Sequence, residues 1–130
     1  MNLDDLTVVN LQAKSRWDAK DELLTHLMAA NTIKRHDLEA ITNAIKQREA
    51  ETSTGIGFGI ALPHASTDLV SEPVAIIGRS KDGIPFDAID GQPVHRVVLF
   101  LVPQGQMEKH KHMLANIAKM LHRARFREEP

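Results

Sequence analysis

A Pro63-His64 pair closes the glycine-rich run Gly55-Ile-Gly57-Phe-Gly59, and a second histidine pair, His110-Lys-His112, lies farther along the chain. Imidazole is the side chain whose charge changes near neutral pH, and its neutral nitrogen is a nucleophile, a base or a metal ligand. Pro63 fixes its own φ and lacks an N–H, so the backbone entering His64 is stiff and can present one ring nitrogen outward. The plainer alternative is a histidine that only hydrogen-bonds at a strand end. The glycines allow close backbone approach and can expose N–H groups to an anion. They do not form a dinucleotide fingerprint: Gly-x-Gly-x-x-Gly is absent, and Pro63 stops a helix from starting straight after them. A nucleotide-binding loop of the Gly-Lys-Ser/Thr kind is excluded as well, because no lysine occurs between Lys46 and Lys81. His64, His110 and His112 could be drawn as a three-histidine zinc site. Residues two apart on a helix point about 200° from each other, which argues against His110 and His112 sharing one ion. No metal is expected. His26, His36, His95 and His122 read as surface or strand-edge residues.

These groups must be held by a small framework. The 130 residues suffice for one domain with its own core. The sequence expectation is an α/β fold, a single-domain layered sandwich of a mixed β-sheet flanked by helices. Residues 6–11 read as a strand, and Ser15, three residues before Asp18, as the cap of a helix reaching about Ala30. Ala19, Leu23 and Leu27 make one stripe of that helix, with Leu24 and Met28 beside it and Trp17 packing at its start. Asp37 can cap a second helix, ending near Arg48 or Glu49, in which Leu38, Ile41, Ala44 and Ile45 share a face. Gly59–Leu62 could be a brief strand arrested by Pro63. Residues 74–79 are β-rich, and Lys81-Asp-Gly83 signals a turn after them. The run VHRVVLFLV at 94–102 is the strongest strand, apolar enough to lie at the centre with both faces covered. A last helix is expected over 108–126, with Leu114, Ile117, Ala118 and Leu121 facing the core.

Composition narrows the function classes. Sixteen basic and seventeen acidic side chains give a formal charge of −1, so there is no global positive field for nucleic acid. The last helix is locally basic through Lys109, Lys111, Lys119, Arg123, Arg125 and Arg127. That pattern suits a solvated face, or docking of an acidic partner, and lacks interleaved aromatic platforms for nucleic acid. No cysteine is present, which excludes disulfides, thiolate metal sites and thiol nucleophiles. The longest apolar runs are too short to cross a bilayer, and the N-terminus has no signal-peptide pattern. A cytoplasmic location without membrane insertion is the expectation.

Three ordered blocks carry a resemblance. Arg48-Glu49 followed by Ser53-Thr54-Gly55-Ile-Gly57, Gly59, Ala61 and Pro63-His64 is the first, "FDAIDGQPVHRVVLFLVP" (86–103) the second and "HKHMLANIAKML" (110–121) the third. Together they resemble the phosphotransferase-system (PTS) EIIA type-2 domains of the fructose/mannitol family, which includes nitrogen-regulatory EIIA-like proteins. The likeness covers roughly residues 5–128. It implies one EIIA type-2 domain over 1–130, short at its C-terminus, since the family commonly continues through a further helical stretch. It also implies a phosphotransferase working through a phosphohistidine, with no cofactor, nucleotide or metal.

By the resemblance, His64 is the phosphorylated residue, His110 the second active-site histidine and Arg48 the phosphate-facing arginine. Ser53, Thr54, Gly55 and Gly57 would line the phosphate pocket. The implied donor is HPr or a nitrogen-branch HPr-like protein, and the implied acceptor an EIIB domain or a regulatory target. No EIIB or EIIC sequence accompanies the domain, which favours a stand-alone, nitrogen-regulatory-like role over sugar transport. The competing expectation is a non-catalytic EIIA-like interaction module, against which Arg48, His64 and His110 together argue. The chemistry is consistent: phosphoryl transfer needs an in-line nucleophile and positive groups around spread negative charge. Arg48 would supply a permanently charged fork of donors, and backbone N–H groups from Thr54 to Gly57 would complete the pocket.

Overall fold

A computed structural model describes residues 7–51, 55–57, 59–88 and 90–128. Its centre is a six-stranded mixed sheet with strand order β1-β5-β6-β3-β2, in which β4 also pairs with β6. The strands are β1 (Val8–Asn10), β2 (Gly55–Gly57), β3 (Ile60–Ala61), β4 (His64–Thr67), β5 (Val74–Ile84) and β6 (Val94–Pro103). Among the described residues three α-helices accompany them: α1 (Arg16–Ala29), α2 (Leu38–Glu51) and α3 (Lys111–Glu128). β6 runs antiparallel to β5 and parallel to both β3 and β4. Residues 97–102 of β6 are fully buried, the burial expected of a strand covered on both faces.

Local chemistry starts α1 as the sequence predicts. Ser15 is extended, at φ −123° and ψ 155°, and its hydroxyl accepts the Asp18 N–H at 3.0 Å. Glu22, one turn on, accepts the Gln12 and Ala13 N–H groups at 2.9–3.0 Å and so ties the β1–α1 connection to the helix. A 3-10 turn over Arg35–Asp37 leads into α2.

α1 and α2 cover one face of the sheet. Their Leu23, Leu24, Leu27, Ile41 and Ile45 pack with Ile76, Phe86, Val97, Leu99 and Leu101 in the main core. α3 covers the other face through a smaller cluster of Ile60, Leu62, Ile77, Val98 and Ile117. Met113, Ala118 and Met120 complete that contact, so the inward stripe of α3 runs through Met113, Ile117 and Met120 where the sequence predicts Leu114. The side chain of Leu121 lies outside the described residues.

Two segments depart from the sequence reading. Lys81-Asp-Gly83 does not end a strand; it lies inside β5, which continues to Ile84. The register shifts between Arg79↔Arg96 and Ile84↔Val94, so the extra residues form a bulge. Gly83 takes φ +87° there and its N–H is accepted by Ser80 Oγ at 3.1 Å, which satisfies the backbone without a chain reversal. The strand before Pro63 also resumes after it. The Phe100 N–H donates to Pro63 O at 2.9 Å, so the proline carbonyl holds the edge of β6 although the proline has no N–H to give.

Candidate functional site

His64 is the first residue of β4, opposite Phe100 in the parallel ladder. Two constraints fix its approach. Gly59, at φ +75°, turns its carbonyl to accept the His95 and Arg96 N–H groups at 2.8 and 3.0 Å, which anchors the start of the segment on β6. Pro63 then ties its end to Phe100. Between these anchors the chain bends so that Leu62 O lies 2.6 Å from His64 Nδ1. A carbonyl oxygen can only accept, so Nδ1 carries the proton and the Nε2 lone pair is left free. The imidazole is half-buried and its tautomer is set by backbone alone.

α2 supplies the facing wall. Ala44 and Arg48 are four residues apart and Gln47 lies beside them, so the three share one helix face. With His64, Ala65 and Ser66 of β4 and with Met107 they line a cleft of about 290 Å³. Arg48 is exposed and makes no salt bridge among the described residues, so its guanidinium is available to an anion. Among the described residues no three histidine or carboxylate side chains converge as a metal-ligand set. A larger cavity, about 530 Å³, lies between the end of α1 and the start of β5, lined by His26, Glu72 and mostly apolar neighbours, with neither His64 nor Arg48 in it.

The other predicted site residues divide. His110 is not among the residues lining the cleft; it sits on the turn ahead of α3, one turn after Met107, with Nε2 3.4 Å from Gln106 Oε1. His112 falls in the first turn of α3 and is exposed. Gly55 and Gly57 belong to β2, paired with Ala61 and Ile60 across an irregular register. Ser53 and Thr54 lie outside the described residues. No helix among the described residues is long and apolar enough to cross a membrane.

The family model for the phosphoenolpyruvate-dependent sugar phosphotransferase system, EIIA 2, matches residues 2–129. The chain belongs to this family. The PTS system fructose-specific EIIABC component of Bacillus subtilis is 38% identical over 121 residues, which are 93% of this chain and 19% of that much longer protein. A nitrogen regulatory protein of Pseudomonas aeruginosa is 31% identical over 122 residues, 94% of this chain and 78% of that protein. Among solved structures, the nitrogen regulatory protein IIA-Ntr of Neisseria meningitidis superposes with a TM-score of 0.73 at 26% identity, covering 85% of this chain and 73% of that one. This EIIA 2 chain is therefore similar both to sugar-specific and to nitrogen-regulatory relatives.

Two buried side chains escaped the sequence reading. Lys20 and Glu49 form an ion pair, Nζ to Oε1 at 2.9 Å, with neither side chain exposed to solvent. Burial holds the Lys20 ammonium below the ordinary lysine value of 10.5; Glu49 pulls it back up, and the charges of Arg16 and Lys46 add to the lowering. The one available signal was a lysine standing three and four residues before Leu23 and Leu24, on the stripe that should be apolar.

Proposed function

We propose that this EIIA 2 chain is a phosphocarrier whose acceptor is Nε2 of His64. The observation that carries the reading is the 2.6 Å bond from Nδ1–H to Leu62 O, which leaves Nε2 as the ring's nucleophile beside Arg48. The donor is the phosphohistidine of HPr or of a nitrogen-branch HPr-like protein. The Nε2 lone pair forms the new N–P bond as the donor's N–P bond breaks, and the donor nitrogen keeps that electron pair. No proton has to leave His64. Phosphorylation places positive character on the ring, and the Leu62 carbonyl, already bonded to Nδ1–H, stabilises it. Arg48 neutralises the oxygens of the group in flight, where charge-directed donors have most effect. By the family resemblance, His110, on the turn that also carries Met107, and Gly55 and Gly57 of β2 would add hydrogen-bond donors to the anion pocket when a phosphoryl donor docks. The resemblance alone assigns Ser53 and Thr54, which lie outside the described residues, to the same role.

The phosphoryl group then passes to the cysteine of an EIIB domain, or stays as a signal read by a regulatory target. We favour the regulatory role, because this chain covers most of the length of its nitrogen-regulatory relatives. Phosphoenolpyruvate, Enzyme I and HPr, or the nitrogen-branch pair, followed by intact-mass measurement, test the proposal. One acid-labile phosphate on the wild type, absent from His64→Ala while the variant keeps its melting temperature, is the expected result. No phosphate from either donor system would favour a non-catalytic interaction module.

A further inference from the structure

Glu49 turns away from the cleft that its neighbour Arg48 faces. Ile41, Ile45 and Glu49 follow one another at four-residue steps along α2, and all three are buried. An apolar stripe that ends in a carboxylate is costly unless the charge is matched. The match comes from α1. Lys20 Nζ contacts one carboxylate oxygen at 2.9 Å and Arg16 Nη1 the other at 3.4 Å. Arg16 Nη1 also donates to Phe86 O at 3.2 Å. The Lys20 ammonium lies 4.6 Å from the centre of the Trp17 ring and 5.4 Å from that of Phe86. Its contact with Glu49 is ionic: Nζ has no hydrogen-bond partner of good geometry among the described residues. Neither Lys20 nor Glu49 lines the cleft, so the transfer chemistry does not itself use them.

We infer that Lys20 is a positioning residue which, through Glu49, fixes the rotation of the last turn of α2 and so holds Arg48 at the cleft. The inference rests on the reading of His64 as acceptor and Arg48 as its phosphate-facing partner. The carbonyls of a helix's last turn lack intrahelical partners, and α2 ends at Glu51, two residues after Glu49. Apolar packing is non-directional and tolerates a small rotation there. A carboxylate gripped at each oxygen by a different α1 cation does not. Arg48 is the residue just before Glu49 in the same turn, so its Cα–Cβ direction is set by the same grip.

The test is single-turnover transfer from phosphorylated HPr or its nitrogen-branch counterpart, whichever phosphorylates the wild type. Lys20→Met keeps the side-chain length and removes the charge. Its maximal transfer rate should fall on the order of 10-fold while the donor concentration giving half the maximal rate is unchanged. In an Arg48→Ala background the same change should alter the rate by less than about 2-fold, because the two residues act in one path. Independent, multiplying losses would overturn the positioning role. Lys20→Met/Glu49→Met replaces the pair by apolar side chains, a change that buried ion pairs often tolerate, and should be slow as well. A wild-type rate in that folded variant would also overturn it.

Trp17 is the only tryptophan, and its emission reports whether α1 keeps its packing in each variant. Should neither buried variant fold, Arg16→Gln, at a side chain one-quarter exposed, removes the second grip on Glu49. A slower rate there supports the role, and an unchanged rate defeats it. Wild type that takes no phosphate defeats the His64 reading and this role with it. Wild type that does, together with Lys20→Met within about 2-fold of it, leaves His64 as acceptor and defeats the positioning role alone.

Discussion

The cleft at His64 and the ion pair behind it hold charge in opposite ways, although adjacent residues of one helix turn divide between them. Arg48 is exposed and pairs with no carboxylate among the described residues, which suits the anion-binding role proposed for it. Glu49 is 2% exposed and shares its carboxylate with two cations of α1. A group that must bind a transient dianion loses its use if the fold neutralises it permanently. A group that must fix an angle has to be held permanently. The difference teaches that charge alone does not mark a functional residue: what decides is whether the fold has already satisfied it.

The contrast can be broken experimentally, and the largest effect is on stability. Glu49→Ala leaves the Lys20 ammonium buried and unmatched and should cost about 3–5 kcal/mol in urea denaturation. Arg48→Ala should stay within about 0.5 kcal/mol of wild type. Equal losses would show that the two residues do not divide as described. The next effect is on rate: Arg48→Ala should slow phosphoryl transfer about 100-fold, the loss typical of a donor aimed at developing charge. An unchanged rate would remove Arg48 from the site. The smallest effect is a pH slope. Burial lowers Lys20 in the folded protein, while the unfolded chain keeps the ordinary value of 10.5. Between those two values the unfolded chain holds the proton that the folded one has shed, so stability rises with pH. Wild type should therefore gain on Lys20→Met/Glu49→Met as pH is raised toward 10.5, in paired urea titrations.

Much of the frame was legible because its causes are local. Ser15 and Asp18 lie within one helical turn, and the apolar run of β6 announces a strand buried on both faces. The acceptor candidate was legible for the same reason, since Pro63 stiffens the residue next to it. Where the reading failed, a distant partner intervened. Lys81-Asp-Gly83 looks like a turn until Ser80 and β6 show that the ladder can resume at Ile84↔Val94. Pro63 looks like a strand terminator until Phe100 supplies a donor for its carbonyl. His110 was expected inside the last helix, but α3 begins at Lys111 and leaves His110 on the preceding turn.

Sequence by itself determined most of the elements, the central strand and the three blocks that mark an EIIA 2 chain, and it singled out the histidine proposed to carry phosphate. Each rests on periodicity, capping or short motifs, all properties of neighbouring residues. Tertiary structure alone decided which imidazole nitrogen is free, because that depends on where Leu62 O falls. It alone brought Arg48 to His64, from a helix onto the edge of a sheet. It also buried Lys20 against Glu49, a pairing invisible to any local pattern, since the attraction exists only once α1 and α2 have packed and excluded water from between them.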